Sequence, residues 1–216
     1  MLRNFDGFIF DVDGTLTSTN ELIFSSFNHV TKKYLNKNVS NEEIIAMFGP
    51  TEDVILQEWM KHDYHDARKD YFDFYSSQHQ LMADIYPGMI DVLKFIKSKN
   101  IPLSIYTGKG KDSARITLKE IGVYDLFDMI VTGDDVKESK PSREGVDMFV
   151  EKFNLDRNKV LMIGDAPADV IAAHRAGVKA ASVLWDSYAR DKVLQMNSDY
   201  IFETVEEFKK FLEENI

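Results

Sequence analysis

The sequence predicts an α/β fold: a doubly wound, mostly parallel sheet with a small all-helical domain inserted after the first strand. From about residue 84 onward, short apolar runs alternate with helical patterns, which is typical of parallel βαβ units. Between about residues 18 and 83 this alternation is interrupted and only helical patterns occur. We therefore expect a core domain made of 1–17 and 84–216, and a helical domain made of 18–83.

Short apolar runs, rich in residues that favour strands, define the sheet of the expected core. The run at 200–202 is predicted as an edge strand. The predicted strands are 5–10, 101–106, 129–132, 160–163, 180–184 and 200–202.

Start and stop signals define the helices between these strands. Gly122 and Gly177 are placed to end two of them, and Thr204 with Glu207 is a capping box for the last helix. The predicted core helices are one opened by Pro87-Gly88, then 113–121, 142–153 and 168–176, and one beginning after Thr204.

Two patterns describe the inserted segment. Ser40 with Glu43 is a capping box, and it predicts a short helix that stops at Gly49-Pro50. A cluster of aromatic residues is predicted to form the inner face of a small helical bundle: Tyr71, Phe72, Phe74 and Tyr75.

Composition excludes several classes of function. The 216 residues are 44% hydrophobic, which is enough for a sizeable core. A net charge of -10 without any basic run argues against nucleic acid as a partner. The absence of cysteine excludes disulfides, thiolate metal sites and cysteine nucleophiles. No run resembles a signal peptide or a membrane span, so we expect a cytoplasmic protein without a membrane partner.

Asp11 and Asp13 lie two residues apart at the expected carboxyl end of the first, buried strand. Carboxylates that are buried and close together raise each other's pKa, so an ionised pair implies a bound cation or a shared proton. A divalent metal ion is the usual solution. The alternative interpretation is a turn to which Asp13 and Gly14 contribute only backbone chemistry.

Three later strand ends also carry polar groups, and ligands of an open parallel sheet bind where its carboxyl ends meet. Thr107-Gly108-Lys109 can bind an anion at the start of a helix, or simply begin that helix. Lys140 follows the third strand, where a solvated lysine is the alternative. Asp165 and Asp169 follow the fourth, where either can instead cap the next helix.

Together these segments resemble the haloacid dehalogenase superfamily, specifically its phosphotransfer branch. The order DxDGT, Thr, Lys and GDxxxD extends from Asp11 to Asp169. The resemblance implies a Rossmann-like core, and the helical insertion is similar to the family's alpha-helical cap, which closes over the site.

The resemblance also implies a role for each acidic residue. Asp11 would be the nucleophile that forms an aspartyl-phosphate. Asp13 would protonate the leaving oxygen and later accept a proton from water. Mg²⁺ would be the cofactor, held by Asp11, the backbone carbonyl of Asp13 and the side chain of Asp165, while Asp169 orients that shell.

The implied phosphate ligands are Thr107, Gly108, Lys109 and Lys140, of which Thr107 and Lys140 also stabilise the transferring group. Cap residues Phe48, Gly49, Pro50 and Thr51 are candidates for contact with the substrate, with a simple helix stop as the alternative. Ala166 departs from the hydroxyl residue that many relatives have after the aspartate.

Among the reactions of the family, Asp13 disfavours dehalogenation, and the cap contains no lysine before Lys32 for a phosphonatase. A phosphatase acting on a small phosphorylated metabolite is the leading hypothesis, with similarity to phosphoglycolate phosphatases. The alternatives are an inorganic pyrophosphatase, a phosphomutase similar to beta-phosphoglucomutase, and a phosphate-binding module without turnover. The expected assembly is a monomer or homodimer.

Overall fold

The computed structural model describes residues 3–216 and contains the predicted α/β architecture. Met1 and Leu2, which the expected core domain includes, lie outside the described residues. The strands are β1 (Gly7–Phe10), β2 (Thr17–Ser18), β3 (Asp84–Ile85), β4 (Leu103–Tyr106), β5 (Met129–Val131), β6 (Val160–Gly164), β7 (Lys179–Val183) and β8 (Tyr200–Phe202).

Ten α-helices occur in the described residues. They are α1 (Asn20–Leu35), α2 (Asn41–Ile45), α3 (Glu52–Met60), α4 (Tyr64–Met82), α5 (Met89–Ser98), α6 (Lys111–Glu120), α7 (Glu144–Phe153), α8 (Pro167–Ala176), α9 (Arg190–Val193) and α10 (Val205–Asn215). None of these helices is both long and apolar enough to cross a membrane.

The main sheet has six parallel strands in the order β5-β4-β1-β6-β7-β8. Strands β4 and β5 therefore lie on one side of β1, and strands β6, β7 and β8 lie on its other side. Phe10 is in register with Ile105 of β4 and Ile163 of β6. The segments that follow these three strands consequently begin at the same edge of the sheet, where the strand order reverses.

Apolar residues cover both faces of the sheet. Phe8 and Phe10 belong to one buried cluster, whereas Ile9 between them belongs to another. This alternation is the two-residue period of a strand. Helices α5 and α10 contribute to the first cluster, and helices α7 and α8 contribute to the second, so the sheet is doubly wound.

Helices α1 to α4 share a third buried cluster. Tyr71 and Tyr75 are fully buried in it as predicted, but Phe72 and Phe74 are only partly buried. The predicted capping box of Ser40 and Glu43 begins α2. This helix ends at Ile45, before the predicted stop at Gly49-Pro50.

A short antiparallel ribbon joins the two ends of the inserted segment, and the sequence did not predict it. Thr17 pairs with Ile85, and Ser18 pairs with Asp84. Strands of two residues are too short to show a periodic pattern. The ribbon brings the expected boundaries at 17/18 and 83/84 side by side, while the division into two domains stays a prediction.

Gly145 provides a test of the packing between α7 and the sheet. A Cβ atom at this position would come within 2.5 Å of the Tyr106 ring. We expect Gly145→Ala to lower the free energy of unfolding by about 1–3 kcal/mol, because overpacking outweighs the better helix propensity of alanine. Chemical denaturation measures this difference. The exposed Glu151→Ala on the same helix should stay within about 0.5 kcal/mol of wild type, and equal stability of both variants would contradict the prediction.

Candidate active site

The carboxyl ends of β1, β4 and β6 border a cavity of about 200 Å³. Helices α1 and α3, and the loop that precedes α3, form its opposite wall. The core residues that line it are Asp11, Asp13, Gly14, Thr107, Gly108, Lys109, Ser139, Lys140, Asp165, Ala166, Ala168, Asp169 and Tyr188. All the acidic and basic residues that the sequence predicted for the site are therefore brought together.

Lys140 holds two of the carboxylates. Its ammonium donates to Oδ1 of Asp11 and to Oδ1 of Asp169, at 2.6 Å in both cases. All three side chains are at most 9% exposed. Burial raises the pKa of Asp11 to about 7, even though Lys140 acts in the opposite direction. Lys140 itself has a raised pKa, because the two carboxylates outweigh the effect of its burial.

Asp165 adds a third buried carboxylate, while Lys140 gives its hydrogen bonds to the other two. Oxygen atoms of Asp11, Asp165 and Asp169 lie within 4.8 Å of one another. Oδ2 of Asp165 is buried without a hydrogen-bond partner among residues 3–216, and burial together with Asp11 raises the pKa of this carboxyl well above its usual range. Three carboxylates around one ammonium form an oxygen-rich, negatively charged site. This donor set fits Mg²⁺, which prefers oxygen ligands.

Two glycines allow this close approach of backbone and carboxylates. A Cβ atom on Gly14, whose φ is +75°, would collide with the Asp165 carboxylate. A Cβ atom on Gly164 would collide with the side chain of Asp169. Asp169 also accepts a hydrogen bond from the backbone N–H of Ala166 at 3.1 Å, so it orients the turn that precedes α8.

Asp13 has its own cationic partner. The Lys109 ammonium donates to Oδ1 of Asp13 at 3.0 Å, and the Thr19 hydroxyl donates to the same oxygen. The Lys109 side chain is 2% exposed, and its ammonium lies 5.2 Å from the centre of the Tyr75 ring. Burial alone lowers the pKa of Lys109, but Asp13 together with Tyr75 and Glu52 outweighs it, and the net shift is upward. Lys109 was predicted as a phosphate ligand, whereas here its ammonium contacts a carboxylate.

The start of α6 differs from the anion site that the sequence predicted. Glu52 accepts a hydrogen bond from the backbone N–H of Gly110 at 2.8 Å and from the Ser113 hydroxyl at 2.6 Å. A protein carboxylate therefore binds at this helix N-terminus. Thr107 remains buried at the cavity wall, and its Oγ1 accepts from the Lys109 N–H at 3.2 Å. Its hydroxyl proton is thus free of that bond and can point to a ligand.

The predicted cap residues divide into two groups. Phe48, Gly49 and Pro50 line the cavity. Thr51 does not; it precedes α3 and lines a neighbouring groove with Gly133. The Thr51 side chain packs against the core loop at Gly133, and a contact between Thr51 and the substrate stays a prediction.

Several lining residues were missed by the sequence analysis. Tyr188 follows β7, and its ring meets Phe48 edge-on with centroids 6.2 Å apart. Burial and the nearby acidic residues raise the pKa of Tyr188 to about 12. The helical segment adds Asn20, Ile23, Phe27, Glu52 and Ile55. Their positions depend on how the helices lie against the sheet, for which no local pattern exists.

Comparison with known proteins places the chain among hydrolases. A model of the haloacid dehalogenase-like hydrolase family matches residues 8–183. Pyrophosphatase PpaX of Bacillus pumilus is 33% identical over 193 residues, covering 89% of each chain. Pyrophosphatase PpaX of Oceanobacillus iheyensis is 33% identical over 202 residues, covering 92% of each chain.

Solved structures agree with the fold. A predicted phosphoglycolate phosphatase from Haemophilus somnus has a TM-score of 0.86 at 22% identity, with 98% of this chain and 99% of that chain covered. A protein from Thermotoga maritima that is provisionally assigned as a beta-phosphoglucomutase has a TM-score of 0.77 at 26% identity, covering 98% and 100% of the two chains.

The raised pKa of Asp11 predicts how stability depends on pH. Its pKa is about 7 in the folded protein, against an ordinary value of 3.8. Between these values the folded protein keeps a proton that the unfolded chain has released, so the free energy of unfolding falls as pH rises. In EDTA we expect Asp11 to contribute a loss of roughly 2–4 kcal/mol over this interval, which Asp11→Asn removes. The raised pKa of Asp165 acts in the same direction, so the variant keeps a smaller dependence of stability on pH.

Urea denaturation at several pH values measures how the free energy of unfolding depends on pH for the wild type and for Asp11→Asn. Asp6→Asn is a matched control because Asp6 lies before β1, outside the cavity lining, and pairs with Lys159. Parallel curves for wild type and Asp11→Asn would show that Asp11 titrates equally in both states.

Proposed function

This chain belongs to the haloacid dehalogenase-like hydrolase family, and on that basis we propose that it is a Mg²⁺-dependent phosphatase of a small phosphorylated metabolite. Asp11 is the proposed nucleophile. The observation that carries this proposal is the buried Asp11 carboxylate at the end of β1, held by Lys140 and crowded by the unpaired carboxylate of Asp165.

Two displacements at phosphorus make up the proposed reaction. A carboxylate oxygen of Asp11 attacks phosphorus, and the bond to the ester oxygen breaks as Asp13 donates a proton to it. Asp13 then takes a proton from the water that attacks the aspartyl-phosphate. The bond between Asp11 and phosphorus breaks, inorganic phosphate is released, and both carboxyl groups return to their starting states.

Asp11, Asp165 and the backbone carbonyl of Asp13 are the proposed ligands of Mg²⁺, with Asp169 supporting them. When bound, Mg²⁺ neutralises part of the negative charge of these carboxylates and of the phosphoryl oxygens. The unpaired Oδ2 of Asp165 supports this assignment, because an unsatisfied buried carboxylate oxygen is costly.

Lys140 and Thr107 are the proposed donors to the phosphoryl oxygens. A lysine ammonium has three N–H donors, and Lys140 gives two of them to Asp11 and Asp169. The third is available to the substrate. The negative charge of phosphoryl transfer lies mainly on the equatorial oxygens, so a fixed cation and hydroxyl at this place stabilise the transition state.

The helical segment 18–83 is the proposed cap, and it determines which leaving group fits. Ile23, Phe27, Phe48 and Ile55 give the cavity an apolar wall opposite the carboxylates. Such a wall excludes water from the reacting group and favours a small organic leaving group.

Pyrophosphate hydrolysis is the second candidate function, because relatives that are 33% identical are named pyrophosphatases. Phosphate release from phosphoglycolate, sugar phosphates, nucleotides and pyrophosphate, each with Mg²⁺, separates the two functions. A phosphatase prefers a phosphomonoester by kcat/KM, and a pyrophosphatase prefers pyrophosphate. Exchange between two phosphate positions of a sugar would instead indicate a phosphomutase.

Asp11→Asn should abolish phosphate release from every substrate of this panel. We expect kcat to fall at least about 10⁴-fold, because an amide oxygen does not form the covalent intermediate. Asp6→Asn, with the same chemical change before β1, should keep wild-type activity. EDTA should abolish wild-type activity, and Mg²⁺ should restore it. Turnover by Asp11→Asn would overturn the assignment of the nucleophile.

Phe48→Ala should affect substrate binding, measured as KM, more than the rate of the chemical step, measured as kcat. Phe48 contributes to the apolar wall and packs edge-on against Tyr188, which also lines the cavity. We expect KM for the best organic phosphate to rise about 3–30-fold, with kcat within about threefold of wild type. Val54→Ala is the control, because this exposed residue of α3 lies outside the cavity lining. An equal effect of both variants on KM would contradict a substrate contact by Phe48.

A further inference from the structure

We propose that Lys109 is a positioning residue for Asp13, and that its contact with Oδ1 fixes the direction in which the Asp13 carboxyl group faces the substrate. This proposal rests on the proposed function, in which Asp13 is the acid and base. It differs from the phosphate-binding role that the sequence suggested for Lys109.

The surroundings of Lys109 restrict its ammonium to Asp13. The side chain is 2% exposed and reaches Oδ1 of Asp13 at 3.0 Å. A buried ammonium is costly unless a carboxylate lies in hydrogen-bond contact. In this structure the Lys109 ammonium lies at Asp13, whereas the Lys140 ammonium lies at the proposed nucleophile Asp11.

Tyr75 holds the lysine in this direction from the side of α4. Its ring lies 5.2 Å from the Lys109 ammonium, and a cation and an aromatic ring attract each other at this separation. The Tyr75 hydroxyl is fixed by a hydrogen bond of 2.7 Å with Thr117 Oγ1 in α6. The tyrosine is fully buried, so it allows the ammonium little movement.

Oδ1 of Asp13 accepts from two donors, the Lys109 ammonium and the Thr19 hydroxyl. Two donors on one oxygen fix the orientation of the Asp13 carboxyl group, so its contact with the leaving oxygen is made through Oδ2. Under the proposed function, a proton passes from Asp13 to the leaving oxygen as the bond between phosphorus and that oxygen breaks. Lys109 acts through Asp13 and needs no contact with the substrate.

The dependence of rate on the leaving group tests this assignment. An alkyl phosphate needs a proton on its leaving oxygen, whereas p-nitrophenyl phosphate releases a stable anion. For Lys109→Met with Mg²⁺, kcat/KM should fall about 100-fold for the best alkyl phosphate among phosphoglycolate, glycerol phosphate and sugar phosphates. For p-nitrophenyl phosphate we expect a fall below about tenfold. Inhibition by inorganic phosphate should be unchanged.

Lys111→Met is the matched control. It makes the same chemical change two residues away, at an exposed lysine that pairs with Asp135, and both rates should stay at the wild-type level. Thr19→Val is a milder variant that removes only the second donor to Asp13. It should lower kcat/KM for the alkyl phosphate more than for the aryl phosphate, which keeps the test available if Lys109→Met does not fold.

Equal losses for both substrates in Lys109→Met and Thr19→Val would overturn the proposal. So would a tenfold weaker inhibition of Lys109→Met by inorganic phosphate, which would show that Lys109 binds phosphate. Failure of the proposed function itself would look different, because the wild-type protein would then release phosphate from no substrate, or Asp11→Asn would remain active.

Discussion

Lys140 lies between two buried carboxylates at the end of the central strand, and the rest of the site depends on this contact. Asp11 and Asp169 come from segments that follow different strands, and mutual repulsion would separate them without the ammonium. Asp165 adds a further negative charge that one lysine does not balance. A surplus of negative charge in a buried place lowers stability, and the same surplus makes the place suitable for a divalent cation.

Helix α6 couples this site to the helical segment. Glu52 of α3 binds the N-terminus of α6, and Arg68 of α4 reaches Asp112 of α6 at 2.6 Å. Tyr75 contacts the same helix and also lies next to Lys109, just before α6 begins. The loop that carries Thr107 and Lys109 is therefore held by Glu52 of α3 and by Tyr75 of α4. Under the proposed function, the helical segment 18–83 shapes the pocket for the leaving group. The same segment also supports Lys109, which positions the acid Asp13.

Much of the fold follows from local patterns that the sequence displays. Glycines at 122 and 177 end helices as predicted, with φ of +72° and +71°, because glycine has no Cβ atom and adopts this conformation at low cost. Thr204 and Glu207 form the predicted capping box of α10. The ribbon of Thr17–Ser18 and Asp84–Ile85 was missed, since its strands are two residues long and pair across 67 positions of the chain.

The sequence by itself determined the parallel core and the acidic and basic residues at its edge, because strands impose a period of two and parallel strands end at one edge. Only the tertiary structure decided which of these residues contact one another. Lys109 contacts Asp13 because β4 lies beside β1, and Glu52 binds the start of α6 because α3 packs near it. Such contacts depend on how whole helices and strands are placed relative to one another, and no local sequence pattern predicts that placement.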